Sequence, residues 1–91
     1  MNATIEITMY PLRTDYEDQV LHFLSILRKE GDFEINVNAM STQVKGDYRL
    51  IFSAIQAAIE AVYSDEIKAA FVLKVLPGAL NLKPDFTGLY G

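Results

Sequence analysis

The feature that most constrains this chain is the order of two kinds of hydrophobic repeat. Apolar and polar residues alternate from Ala3 to Tyr10, which is the two-residue period of a strand with one buried face. Apolar residues then recur every three to four positions, which is the spacing of a helix. The strand pattern and the helix pattern both appear again later in the chain. The predicted elements are a strand over 3–10, a helix over 15–30, strands over 33–39 and 41–46, a helix over 48–63 and a strand over 67–76. This βαββαβ order predicts the ferredoxin-like split βαβ fold.

In this α+β fold, right-handed crossovers place both helices on one face of a four-stranded antiparallel sheet. Ile5 and Ile7 of the first strand, with Ile35 and Val37 of the second, are predicted to face the helices. The other sheet face then carries a polar set: Thr4, Glu6, Thr8, Tyr10, Glu34, Asn36 and Asn38. We expect residues 1–76 to form one domain, because a chain of 91 residues supports a single modest core. The apolar tail, 77–91, is expected to pack on this domain or on a partner subunit.

Local signals mark the ends of both helices. Thr14 and Glu17 have the spacing of a capping box for the first helix, and Gly31 is the expected left-handed residue at its end. Asp47 is the natural N-cap of the second helix, directly after Gly46, which permits a bend.

Small polar side chains are concentrated between Asn36 and Tyr48, inside an otherwise apolar pattern. If the protein binds a ligand, we expect the site to be assembled here. The alternative is a polar hairpin that binds nothing. Met40 and Ser41 are predicted to form the turn, but no glycine identifies its type, so either Ser41 or Thr42 could face the core.

Composition excludes several classes of function. The net charge is −4 and no basic patch interrupts it, which argues against nucleic acid and anionic membrane as partners. The chain has no cysteine and one histidine, so neither a metal site nor a cofactor is expected. His22 lies off the apolar stripe and is predicted to be a surface residue. No secretory leader and no apolar run of about 18 residues is present, which predicts a soluble cytoplasmic protein.

Both faces of the last strand are largely apolar. One face carries Ala69, Phe71, Leu73 and Val75, and the other carries Ala70, Val72 and Leu76, with Lys74. In the ferredoxin-like order this strand lies at a sheet edge, where exposed apolar residues promote association. We therefore expect a homodimer or homotetramer.

Two motifs resemble the YkoF-related family, which binds thiamine through its hydroxymethylpyrimidine half. They are T-I-E-I-T-M-Y-P-L in the first strand and N-x-M-S-T-x-V-x-G-x-Y between the helices. The resemblance covers about 3–76 and implies a ferredoxin-like module without catalytic activity that assembles into dimers or tandem pairs. This chain resembles a single-repeat member, so the second copy would come from another chain. Its tail, P-G-A-L-N-L-K-P-D-F, departs from the Arg- and Asp-bearing stretch that often ends the wider group.

The resemblance implies non-catalytic binding of thiamine or hydroxymethylpyrimidine in vitamin B1 transport, salvage or sensing. Such a cationic heteroaromatic ligand favours a carboxylate, aromatic faces and side chains that offer donors and acceptors. The candidate ligand-binding residues are Glu6, Thr8, Tyr10, Asn36, Asn38, Ser41, Thr42 and Tyr48. A phosphorylated ligand fits less well, because no glycine-rich phosphate loop is present.

An ACT-like regulatory module that binds an amino acid is the main alternative, since it shares the fold, the size and the pairing. An acylphosphatase-like hydrolase fits less well, because Arg13 lacks a glycine-bearing phosphate loop. An RNA-binding module would need several exposed aromatic residues on the central strands and basic flanks. Tyr10 is alone there, and the charge has the wrong sign.

Overall fold

A computed structural model describes residues 1–12, 16–78 and 80–82. Its elements are β1 (Asn2–Pro11), α1 (Tyr16–Glu30), β2 (Glu34–Val37), β3 (Thr42–Asp47), α2 (Tyr48–Ser64) and β4 (Ala69–Pro77). All strand pairs are antiparallel, and the sheet order is β2-β3-β1-β4. The predicted ferredoxin-like α+β fold is confirmed, with β1 and β3 at the centre and β4 at an edge. The predicted capping residue Thr14 lies outside the described residues.

One hydrophobic core lies between the sheet and the two helices. Ile5 and Val44 are opposite each other on the central strands, and both are 0% exposed. Phe23 and Leu27 of α1 and Ile51 of α2 complete the centre of this cluster. Burial of each such side chain contributes about 1.5–3 kcal/mol to the free energy of folding, so this layer is the main source of stability.

The sheet face turned away from the helices, called the open face here, is partly covered by the described end of the chain. The Thr4 hydroxyl donates to the Gly78 carbonyl at 3.1 Å and accepts from the Leu80 amide at 3.1 Å. Lys45 Nζ donates to the Leu80 carbonyl at 2.9 Å. Thr4 is consequently buried although it lies on the open face. The described part of the tail therefore packs on its own domain, and 83–91 lie outside the described residues.

The glycine prediction at the end of α1 was wrong. Gly31 does not have a positive φ; among the described glycines only Gly78 does, at 115°. Gly31 is required for space instead, because a Cβ there would collide with the ring of Phe33. Gly46 lies within β3 and faces the same ring, with Phe33 Cδ1 3.0 Å from where its Cβ would be. The two glycines thus make room for Phe33, which packs against the core.

The start of α2 agrees with the prediction. Asp47 is its N-cap, and Asp47 Oδ2 accepts a hydrogen bond from the Leu50 amide at 3.1 Å. Neither α1 nor α2 is long and apolar enough for a membrane span, within the part of the chain that the structure describes.

Candidate functional site

The two central strands differ in length, and this difference creates a notch in the sheet. The ladder between β1 and β3 ends where Ile7 is opposite Thr42. β1 nevertheless continues to Pro11, paired with β4 alone. Residues 8–11 therefore have a strand on one side only.

The loop between β2 and β3 forms the far wall of this notch. β2 ends at Val37 rather than at the predicted 39, because the side chain of Asn38 redirects the backbone. Asn38 Oδ1 accepts from the backbone amide of Met40 at 2.8 Å and from that of Ser41 at 3.0 Å. The backbone amide of Asn38 donates to the Ser41 carbonyl. This side-chain turn replaces the glycine that the sequence lacks. Residues 38–41 are called the hairpin loop below.

A cavity of about 580 Å³ lies between the end of β1, the hairpin loop and the N-terminal half of α1. This volume is within the range of about 300–1,000 Å³ that is usual for small-molecule sites. The described residues that line the cavity are Ile7, Thr8, Met9, Tyr10, Glu17, Val20, Leu21, Phe23, Leu24, Val37, Asn38, Ala39, Met40, Ser41 and Thr42.

The cavity combines an apolar wall with a few polar groups. Phe23 and Leu24 of α1 belong to the hydrophobic core and form part of the wall, and the Phe23 ring also packs against Phe71 with centroids 5.1 Å apart. The polar groups belong to Thr42 and Ser41 on one side and to Tyr10 and Glu17 on the other. An apolar surface with a few convergent polar groups is typical of a small-molecule site.

Five of the eight residues predicted from the sequence line this cavity: Thr8, Tyr10, Asn38, Ser41 and Thr42. The structure also decides which of Ser41 and Thr42 faces the core. Thr42 is opposite Ile7 on the helix face and is 5% exposed. No hydrogen bond among the described residues uses the Thr42 hydroxyl, and Thr42 lines the cavity.

Two further predicted residues, Glu6 and Asn36, lie behind the hairpin loop in a polar network on the open face. The Ser41 hydroxyl donates to Glu6 Oε2 at 3.0 Å and accepts from Gln43 Nε2 at 2.7 Å. Asn36 Nδ2 donates to Gln43 Oε1 at 2.9 Å. Lys74 Nζ lies 3.7 Å from Glu6 Oε1 and offsets its charge. These contacts hold Ser41, and with it the hairpin loop, in place.

The structure does not bring Tyr48 to the cavity. Tyr48 follows the other end of β3, where its amide donates to the Met1 carbonyl. Its ring packs edge-on against Phe52, with centroids 5.0 Å apart. An extended strand of six residues separates Tyr48 from the hairpin loop, a distance of about 20 Å.

Sequence reasoning missed Gln43, Glu17 and Met9. Gln43 joins Asn36 to Ser41 in the polar network on the open face. Its alternation with Ser41 and Lys45 along the third strand is the sequence pattern that indicates this shared face. Glu17 was assigned to capping alone, although it also lines the cavity. Met9 belongs to the alternating run from Ala3 to Tyr10, and this pattern indicates only the face of the strand on which it lies.

His22 is a surface residue outside the cavity, as predicted. Its Nε2 lies 2.7 Å from Asp65 Oδ2, which connects α1 to the end of α2. No cluster of three or more potential metal ligands occurs within 1–12, 16–78 and 80–82.

Comparison with protein families gives a direct result. The model of a family described as thiamine-binding protein matches residues 5–76. The chain belongs to this family. The match includes every candidate ligand-binding residue and confirms the resemblance found in the motifs. Family membership supports a thiamine-related role and suggests a binding protein rather than a catalyst. A search of curated proteins found no match.

Solved structures confirm the fold. A candidate thiamine biosynthesis/salvage protein from Thermotoga maritima has a TM-score of 0.75 at 14% identity, with 90% of this chain and 91% of that chain covered. A hypothetical protein from Methanocaldococcus jannaschii gives 0.74 at 22% identity, covering 98% and 93%. Protein SP2199 from Streptococcus pneumoniae gives 0.74 at 18% identity, covering 88% and 90%. Similarity at these identities establishes a shared fold.

Proposed function

We propose that this protein binds thiamine, or its hydroxymethylpyrimidine moiety, without transforming it. The observation that carries the proposal is the cavity at the end of β1, where a member of the thiamine-binding family gathers Thr8, Tyr10, Asn38, Ser41 and Thr42. The name of the Thermotoga maritima neighbour supports a role in thiamine salvage, with transport and sensing as the other uses of such a binder.

The cavity suits the two halves of thiamine in different ways. The pyrimidine ring is flat, with polar groups at its edge and faces that can pack on apolar side chains, so a face fits against the wall formed by Phe23 and Leu24. The Thr42 hydroxyl offers a hydrogen bond beside this wall. The thiazolium ring is cationic, and Glu17 is the carboxylate among the described lining residues. Tyr10, which is 54% exposed, provides an aromatic face near the opening.

The composition of the lining supports binding rather than catalysis. The described lining residues include no histidine, cysteine or lysine, and the Ser41 hydroxyl is held by Glu6 and Gln43 rather than by a base in the lining. Purified protein should therefore release no product from thiamine or its phosphates. Turnover proportional to protein concentration, and lost in the Thr42 variant described next, would contradict this part of the proposal.

Titration calorimetry with thiamine and with hydroxymethylpyrimidine tests the site. Thr42→Val keeps the shape of the side chain and removes the hydroxyl, which leaves a buried ligand group unpaired. This costs about 1–3 kcal/mol, or roughly a tenfold to hundredfold loss of affinity. Thr42→Ser is the matched control, because it keeps the hydroxyl and should retain most of the affinity.

The outcomes separate the site from the function. Equal affinity in wild type and Thr42→Val removes Thr42 from the site. No binding of either compound to wild type at millimolar concentration overturns the proposed function. Amino acids are titrated in the same way. Binding of an amino acid, without binding of thiamine or hydroxymethylpyrimidine, would favour the ACT-like alternative.

We also propose that the protein is a homodimer or homotetramer that associates through β4 and the adjacent open face. Val72 is 57% exposed and Leu76 is 42% exposed on this edge strand. Val72→Lys should weaken the assembly at least tenfold, because a charge at a buried interface is costly. The control is Leu50→Lys on α2, where the residue is 60% exposed. Sedimentation that finds wild type monomeric at tens of micromolar contradicts this proposal.

A further inference from the structure

The backbone of β1 presents its polar groups to alternate sides. In an antiparallel strand the N–H and C=O of one residue point to the same neighbour, and those of the next residue point to the other. The Met1 carbonyl accepts from Tyr48, on the side of β3. The Asn2 carbonyl accepts from Gly78, and the Leu12 amide donates to Lys68, both on the side of β4. Odd-numbered residues of β1 therefore face β3, and Met9 directs its N–H and C=O into the notch.

Neither group of Met9 has a backbone partner there among the described residues. If the ladder continued past the pair of Ile7 and Thr42, Met9 would be opposite Met40. The Met40 amide is already used, because it donates to Asn38 Oδ1 at 2.8 Å. No backbone hydrogen bond joins Met9 to any part of the hairpin loop. The turn made by Asn38 thus leaves one donor and one acceptor side by side at the cavity, which Met9 lines.

The open edge has a single N–H donor, that of Met9, and this decides what can occupy it. The next odd-numbered residue is Pro11, which has no N–H. An added polypeptide strand would need a longer run of donors and acceptors. A single planar group with an adjacent acceptor and donor needs only the pair that Met9 offers.

We propose that the Met9 main chain recognises the aminopyrimidine edge of the ligand. The Met9 N–H donates to the ring nitrogen next to the amino-bearing carbon, and the Met9 C=O accepts from the amino group. The ring then occupies the position that β3 would fill if it were longer, beside the Thr42 hydroxyl. This inference rests on the proposed function, since it uses the same cavity. It adds the ligand class, planar heterocycles with a neighbouring donor and acceptor, and the group that selects them.

A double-mutant cycle between protein and ligand tests the Met9 amide. The two probes are hydroxymethylpyrimidine and its analogue with CH in place of the ring nitrogen beside the amino-bearing carbon. Wild type should bind the analogue about tenfold to a hundredfold more weakly. Met9→Pro removes the N–H that points away from β4, at a position where a strand tolerates proline, and it also removes the Met9 side chain, which packs against the core. This variant should bind both probes equally, whereas Met9→Ala, which keeps the N–H, should discriminate as wild type does.

Amide hydrogen exchange on wild type provides a second measurement that does not depend on a folded proline variant. Saturating hydroxymethylpyrimidine should slow exchange of the Met9 amide at least tenfold. The Ile7 amide, which is within the ladder, is the internal reference and should change far less.

Each outcome has one meaning. Failure of wild type to bind hydroxymethylpyrimidine overturns the proposed function, and this inference with it. Normal binding by wild type, combined with discrimination that persists in Met9→Pro, overturns only the role of Met9. Unchanged Met9 exchange in the saturated protein also overturns that role alone.

Discussion

The two ends of β1 use the same strand for different purposes. At the end near Asn2, β1 has backbone partners on both sides. The Met1 carbonyl accepts from the Tyr48 amide, and the Asn2 carbonyl accepts from the Gly78 amide. The described tail also covers this end through Thr4. At the other end the β3 ladder stops at Ile7, and a cavity takes its place. We call these the closed end and the cavity end.

The contrast separates changes that should affect stability from changes that, on the proposed function, should affect ligand affinity. At the closed end, polar groups are satisfied by the chain itself, so changes there should alter the free energy of unfolding. At the cavity end, the Thr8 and Thr42 hydroxyls and the Met9 main chain on the side of β3 have no hydrogen-bond partner within the described residues, so changes there should alter ligand affinity if the proposed function is right. The core layer beneath both ends is continuous, with Ile5 and Ile7 in one cluster.

The largest expected effect comes from breaking the closed end. Thr4→Val removes the hydroxyl that bonds both Gly78 and Leu80. The free energy of unfolding should fall by about 1–3 kcal/mol, because the Gly78 carbonyl and the Leu80 amide lose their hydrogen-bond partner. Urea denaturation measures this loss, and calorimetry should find the affinity for hydroxymethylpyrimidine unchanged.

Thr8→Val is the matched variant at the cavity end, on the same strand and the same face. Thr8 lines the cavity, and no hydrogen bond joins its side chain to another described residue. Its substitution should lower affinity severalfold and leave stability within about 0.5 kcal/mol of wild type. If both variants lose stability equally, the distinction between the two ends is wrong.

An intermediate effect is expected from a change that lets the ladder extend. Asn38→Ala frees the amides of Met40 and Ser41, so Met40 can pair with the Met9 carbonyl and close the notch. Stability should fall by about 0.5–1.5 kcal/mol, and affinity for hydroxymethylpyrimidine should fall about tenfold. Asn38→Asp retains the acceptor oxygen and should stay near wild type in both measurements. Affinity that survives in Asn38→Ala would show that the loop geometry is not required.

The smallest effect is expected at His22, which is distant from this contrast. The His22–Asp65 pair is 2.7 Å long, but its side chains are 40% and 54% exposed. Exposed pairs of this kind contribute about 0–1 kcal/mol, so His22→Ala should change stability little and affinity not at all. A loss of affinity beyond threefold in calorimetry would place the helix surface in the binding process.

The elements and their faces could be predicted from the sequence because they follow from periodicity alone. Alternation in β1 fixes Ile5 and Ile7 on the helix face, whatever the rest of the chain does. Asp47 was predictable for a similar reason, since its capping contact with Leu50 is local. Gly31 was not, because its role depends on the ring of Phe33 and not on backbone conformation.

The site was only partly predictable, since proximity along a strand is not proximity in space. Tyr48 belongs to the same polar stretch as Ser41 and Thr42, but β3 is extended and carries it to the closed end. The role proposed for Met9 could not be predicted for another reason. A side-chain pattern reports which face a residue occupies, whereas the property proposed for Met9 belongs to its main chain and depends on where β3 begins.

The pairing of β1 with β4 sets the order in which this domain can be completed during synthesis. β1 is the first of these strands to be synthesised. Gly78, whose carbonyl accepts from the Thr4 hydroxyl, follows Thr4 by 74 positions. Contacts of such separation are slow to form, because a long loop must be closed first. On the ribosome, β1 can pair with β3 early but keeps a free edge until β4 has left the exit tunnel. The last folding step therefore awaits emergence of β4, which completes the closed end through Gly78 and is the only described strand beside residues 8–11 of β1 at the cavity end.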